Sequence, residues 1–301
     1  MRWTLLLCCF GARVHAAVLA PPSFDRCLQR GLGSWRGAGF TWTLDASEST
    51  TIPVAVAPGH ITVPSPCSSD VLAEARGAVQ AMREERQPSG GVVVVSPQSS
   101  TCFSCGSWCE APRYLGGAGD EDHLASALGF GVSVNIAHGD ETRKRLLLAV
   151  VGGSLASCDV YIEGRAGVAM PESAATLLQR RLQVVVDAKA WEGGMTRRVL
   201  SGSPDDGIGW SGAAWEVEES AVEGGAPLLP PNANFQPGGC WVRVVDAVEG
   251  GAEEGLVVEA GSLSLESGEV KVVRQKWTRA GGGDSLHLTS VQLSEVTAEE
   301  E

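Results

Sequence analysis

The spacing Cys102-x-x-Cys105-x-x-x-Cys109 is the sharpest metal-like pattern in this chain. Zinc and iron–sulfur centres are built on such short thiolate spacings, but they need a fourth ligand. None lies nearby: His123 and His138 stand on separate segments, and there is no second cysteine pair. The neighbours Phe103, Gly106, Ser107 and Trp108 suit the wall of a barrel, where cysteine packs as a small hydrophobe. The expected role is therefore structural, with no metal. His60, His123, His138 and His287 are isolated, and Ser203-Pro204-Asp205-Asp206 has the composition of a turn rather than a nucleophile's setting. Gly37-Ala38-Gly39 lacks the rest of a nucleotide motif, and no Gly-x-Ser-x-Gly, phosphate loop or dinucleotide fingerprint occurs. The sequence thus predicts no catalytic residue, no bound cofactor and no enzyme activity.

What organises the chain instead is Gly33-Ser34-Trp35, followed by the alternating run Ala38 to Leu44. Glycine permits a sharp turn, and a tryptophan two residues on can lay its ring across the closed end of a small barrel. Further short apolar alternations are separated by Gly, Ser, Pro and Asp, which are strand and turn signals. They include residues 91–96, 132–136, 145–151, 159–162, 241–245, 255–259 and 269–276. Ser69 to Arg86 has the composition of a helix, although Val79 to Arg83 reads equally well as an edge strand. Pro171 to Val186 is the better helix candidate, with Leu177, Leu178 and Leu182 at helical spacing.

An internal repeat sets the architecture. A basic, aliphatic strand from Arg143 turns through Gly152-Gly153 into a second strand ending near Glu163. The run from Glu269 does the same through Gly281-Gly282-Gly283 to Glu295. In this second copy Leu286, Leu288 and Val291 share a face only if a bulge or a slip falls near Thr289, which leaves the register open. The chain accordingly divides into a targeting presequence (1–23), a first barrel (24–167) and a second barrel with an acidic tail (168–301).

Charge and composition exclude other classes. The chain of 301 residues has a net charge of −13 and ends in Glu299-Glu300-Glu301. Such an acidic surface repels phosphate backbones, so nucleic acid is an unlikely partner, while a basic protein would fit. No apolar run reaches the roughly 18 to 20 residues of a membrane-spanning helix. Nine scattered cysteines suit a mostly reduced compartment. The apolar run Trp3 to Phe10 and the small-residue site Val14-His15-Ala16 read as a short signal sequence, compatible with a plastid address or with simple secretion.

The Gly33-Ser34-Trp35 opening, the Arg143-Lys144-Arg145-Leu146-Leu147 strand, Pro237 to Val242, Glu259-Ala260-Gly261 and Lys271-Val272-Val273-Arg274 together resemble a two-barrel plant and cyanobacterial family. That family is named for a biogenesis factor required for chloroplast ATP synthase, and the resemblance spans roughly residues 24 to 296. It implies an all-β chain of two tandem antiparallel calycin-like β-barrels, lipocalin-like or fatty-acid-binding-protein-like, with a short helix allowed between them. In calycins a closing-strand arginine packs over the opening tryptophan. The expected pair is therefore Trp35 with Arg145, or else Arg143, and Arg274 is the counterpart in the second half. These are barrel-closing rather than ligand-binding roles. The second half departs from the pattern, having only Ala190-Trp191-Glu192-Gly193-Gly194 and Trp210-Ser211-Gly212 in place of a clean Gly-x-Trp.

Two functions follow from the resemblance. One is a non-catalytic assembly or scaffolding factor of the chloroplast stroma that holds head subunits of ATP synthase. The other is a carrier of a hydrophobic molecule such as a fatty acid, tetrapyrrole or bilin. Interiors crowded with Trp42, Phe130, Trp241 and Trp277 would favour the scaffold.

Overall fold

A computed structural model describes residues 22–44, 59–61, 65–76, 79–88, 91–96, 100–110, 113–114, 129–167, 195–201, 216–222, 233–249, 253–264, 269–279 and 286–296. Residues 1–21, the helix expected over 171–186, the second-half opening at 190–194 and 210–212, and the turn at 203–206 lie outside them, as do His123 and the side chains of His60 and His287. The all-β expectation holds, with one short helix at the amino-terminal end of the described residues.

The first half forms β1 (Gly33–Leu44), β2 (Gly59–Ile61), β3 (Ser65–Arg76), β4 (Val79–Gln87), β5 (Val92–Val95), β6 (Ser100–Cys102), β7 (Trp108–Glu110), β8 (Arg113–Tyr114), β9 (Gly129–His138), β10 (Thr142–Val151) and β11 (Ser154–Arg165). Nine of these run β5-β4-β3-β1-β11-β10-β9-β7-β6 in a nearly closed, barrel-like antiparallel sheet, with β2 and β8 paired at its side. The second half contributes β12 (Met195–Ser201), β13 (Glu216–Val222), β14 (Asn234–Gln236), β15 (Cys240–Glu249), β16 (Glu253–Leu263), β17 (Val270–Arg279) and β18 (Leu286–Val296). These form a seven-stranded sheet ordered β13-β12-β18-β17-β16-β15-β14.

Strand alternation divides the side chains of the first sheet by chemistry. In β10, Arg143 and Arg145 point into the barrel, whereas Leu146, Leu148 and Val150 point outward. The outward set joins Phe40, Trp42, Phe130, Val134 and Val160 in a core shared with Val242, Leu256, Val258, Val273, Trp277 and Leu293 of the second sheet. The largest hydrophobic core therefore lies between the sheets, and the inside of the first barrel holds a buried charge network beside a second, smaller apolar cluster. Trp42, Phe130 and Trp277 sit in that intersheet layer, with the Phe130 and Trp277 ring centroids 4.5 Å apart. They do not fill a barrel, contrary to the crowding expected from sequence.

Ser69 to Arg86 is a strand pair, β3 and β4, joined in register from Ser68↔Gln87 to Arg76↔Val79. Pairing of β3 with β1 overrides the helical composition, and Met82, Glu84 and Arg86 alternate into the barrel. An unforeseen helix, α1 (Pro22–Gly31), lies across one barrel end. Its Phe24, Cys27 and Leu28, at i, i+3 and i+4, pack with Trp35, Val71, Met82, Val95 and Trp108. Gly33 then enters β1 at φ +123°, a conformation that favours glycine. The Trp35 indole N–H donates to the Gly31 carbonyl at 3.0 Å.

The register left open near Thr289 is settled by a bulge: Lys276 pairs with Ser290 and Trp277 with Leu288. The first hairpin carries the same defect, Ala149 pairing with Ser157 and Val150 with Leu155. Taking Val150 and Trp277 as equivalent, six residues back along each strand stand Lys144 and Lys271. Their neighbours across the ladder are Ile136 and Ser262, so Ala137 corresponds to Leu263. The Lys144 ammonium donates to the carbonyls of Leu263 and of Gly238 (2.6 Å), and the Lys271 ammonium donates to the Ala137 carbonyl at 2.8 Å. Each half thus grips the equivalent carbonyl of the other, as in a two-fold interface.

Candidate functional site

Inside the first barrel, β4, β10 and β11 bring three guanidinium groups against two carboxylates. Glu84 Oε1 accepts from Arg86 and Arg143, both at 2.9 Å, and Glu84 Oε2 accepts from Arg145 at 2.5 Å. Glu163 accepts from Arg86 at 2.9 Å and from Arg143 Nε at 2.9 Å. Ser69 Oγ receives an Arg143 N–H at 2.7 Å and donates to Glu163 at 3.3 Å. All six side chains are buried. Burial by itself would raise the Glu84 pKa, but Arg143, Arg145 and Arg86 outweigh it and hold the carboxyl at about 2. Burial and the Glu163 charge push the neighbouring Cys67 thiol up to about 12.

The β10 arginine that stacks on Trp35 is Arg143, not Arg145. Its guanidinium lies 4.4 Å from the Trp35 ring centroid, and Arg165 takes a second position at 4.9 Å. Arg145 stacks instead on Trp108 at 5.0 Å. Register explains the change. Trp35 pairs with Arg165, and Arg143 pairs with Glu163, two residues along the same face of β11, whereas Arg145 stands a further pleat away beside Asn135, the partner of Trp108. Arg274 does not close a barrel over a tryptophan among the described residues. It is about half exposed and shares Glu259 with Arg243 in a cross-strand Arg–Glu–Arg row, at 2.6 Å and 2.7 Å.

Beside the charge network the barrel keeps a cavity of about 410 Å³. Arg86, Glu110 and Arg145 line its buried end, while Val92, Leu147 and Ala149 line a partly exposed mouth. Ser133, Asp159 and Tyr161 supply further polar wall. Burial raises the Tyr161 pKa, so its hydroxyl stays protonated near neutrality. A second cavity of about 200 Å³, lined by Gly39, Cys67, Gln87 and Pro88 among others, also borders Tyr161.

At the edge of the intersheet core, Ser262 Oγ lies 2.8 Å from His138 Nε2, and His138 Nδ1 lies 3.3 Å from Glu269. The order Ser–His–Glu matches a hydrolase relay. Ser262, however, is fully buried and lines neither of these two cavities. Burial lowers the His138 pKa to about 4, with Lys144 and Lys271 reinforcing it against Glu269. The ring is therefore neutral near pH 7, and the trio ties the two halves together.

Cys102 and Cys109 are buried core residues and Cys105 is half-buried; all three are unpaired thiols. Burial pushes the Cys109 thiol up to about 12. Among the described residues no three His, Cys, Asp or Glu side chains converge as a metal site. The described residues also contain no helix long and apolar enough to cross a membrane.

No protein-family model matches this chain, and no curated protein matches it. Among solved structures it is similar to a protein of unknown function from the DUF3598 family of Nostoc punctiforme. The two share 16% identity and a TM-score of 0.48, over 91% of this chain and 98% of the other. Nothing is carried over from so loose a likeness.

Proposed function

We propose that this chain is a non-catalytic binding protein whose first barrel carries a small hydrophobic molecule. The observation that carries this reading is the cavity of about 410 Å³, with apolar walls and a few convergent polar groups. Its volume lies within the roughly 300–1,000 Å³ of ordinary small-molecule sites. Sequestration also suits the chemistry: the buried charged groups are engaged with one another rather than poised as nucleophile and base. Native mass spectrometry of protein purified from its own source tests the reading. A reproducible small-molecule adduct, lost when Ala149→Trp fills the mouth, is the expected result, and a bare polypeptide mass refutes it.

The second reading is the plastid assembly factor of the resembling family. The reciprocal Lys144 and Lys271 contacts favour it, because they lock the two halves into one block able to present a fixed surface to partner proteins. A crosslinking pull-down from plastid extract should then recover ATP synthase head subunits, and their absence removes this reading. A fluorescent protein fused behind the first 30 residues tests the stromal address: signal in the medium argues for secretion.

A further inference from the structure

Arg145 is the side chain in the cavity whose bonding is incomplete. It is 1% exposed, yet among the described residues its Nε–H has no acceptor, although one terminal nitrogen donates to Glu84 and the other to Ser133 Oγ at 3.2 Å. A buried donor without a partner is uncommon in a folded protein and marks a place where a missing acceptor belongs. Arg145 also lines the cavity, so a molecule entering from the mouth meets it at the buried end.

The charges around that end restrict what the acceptor can be. Arg86, Arg143 and Arg145 are offset by Glu84, Glu163 and Glu110, three of each sign, all buried. Glu110 lines the cavity and interacts with Arg145, and Asp159 adds a fourth carboxylate in the wall, where it accepts from Thr41 at 2.6 Å. No guanidinium in the network is left over to neutralise a further anion, and burying an unmatched charge is costly. A neutral oxygen satisfies the Arg145 Nε–H without that cost, and the walls from Val92, Val93, Leu147 and Ala149 suit a hydrocarbon chain.

We propose that the first-barrel cavity takes an uncharged amphipathic molecule, its carbonyl-type oxygen on Arg145 and its apolar chain toward the mouth, in preference to a free carboxylate. This rests on the carrier reading and adds the chemistry of the cargo. Three matched probes separate the two claims: methyl decanoate, decanoate and decane, each titrated at neutral pH as a competitor of bound Nile red. Methyl decanoate should bind at least tenfold more tightly than decane or decanoate. Arg145→Lys keeps a cation opposite Glu84 but removes the guanidinium Nε–H, so it should bring the ester down to the level of decane. Ala149→Trp should abolish uptake of all three.

Decanoate binding as tightly as the ester, or the ester binding no better than decane, overturns the neutral-acceptor proposal and leaves the carrier reading standing. Failure of the wild-type protein to take up Nile red or any of the three overturns both. Should Arg145→Lys unfold, the wild-type ranking of the three probes decides the proposal by itself.

Discussion

Replacing Glu84 with Gln keeps the shape of the side chain and removes the charge on which three arginines converge. Arg86, Arg143 and Arg145 all bond this one carboxylate, at 2.9, 2.9 and 2.5 Å, and none can deprotonate to relieve the loss. Removing one partner from a buried ionic network typically costs about 3–5 kcal/mol, since it leaves uncompensated charge behind. The native carboxyl at about 2, against an ordinary value of 4.5, gives an independent figure: the shift corresponds to about 3 kcal/mol. For a protein of this size that is a fall in Tm of roughly 5 °C. Urea unfolding across a pH series is the assay. A carboxylate with a depressed native pKa contributes stability above pH 4.5 that is lost as pH falls toward 2, because the unfolded state binds the proton first. The wild type should lose that increment below pH 4.5, and Glu84→Gln should lack that part of the slope while starting lower at pH 7. A cost under about 1 kcal/mol at pH 7, or a variant that keeps the full acid slope, would refute the view that Glu84 anchors the barrel interior.

Acid should also act on the intersheet seam, in a different window. His138 has its native pKa lowered from 6.5 to about 4, so its contribution is complete above pH 6.5 and is lost as pH falls toward 4, by about 3 kcal/mol. His138→Gln should flatten that part of the urea-unfolding profile. Lys271→Met removes the donor to the Ala137 carbonyl, and at about 1–3 kcal/mol for a stranded buried acceptor it should lower the urea midpoint. The double variant with Lys144→Met should open the two sheets, seen as a larger radius of gyration in solution scattering. Gly261→Ala would place a methyl 2.0 Å from the Trp241 ring, so the ring must shift; a changed tryptophan emission with lowered Tm is expected, and an unchanged spectrum would count against the packing described.

The alternation of apolar residues, the Gly33-Ser34-Trp35 opening and the duplicated hairpin are local patterns, and all of them were readable in the chain. Parity flagged Thr289, where strict alternation breaks between Leu288 and Val291, but the choice between a bulge and a slip needed the β17–β18 register. The helix at residues 22–31 went unread, because its signal is only Phe24, Cys27 and Leu28, three apolar positions in ten residues. Pairing is a different kind of information. Choosing between Arg143 and Arg145 for Trp35 required the β1–β11–β10 register, because both side chains face the same way and differ only by one pleat. Composition could not place Trp42, Phe130 and Trp277 between the sheets rather than within a barrel, because that depends on which face of each strand the other half covers.

The site was the least legible part. Glu84 lies in a run that reads as helix or edge strand, Ser69 and Glu163 are distant from it in sequence, and no spacing rule joins them. Period-two patterning lets a sequence determine which residues form strands and which side of each strand is apolar. Only the tertiary structure, by curling nine strands into a nearly closed sheet, decided that Glu84, Arg86, Arg143 and Arg145 face inward, where buried charges must find one another and leave the Arg145 Nε–H without an acceptor among the described residues, beside a cavity.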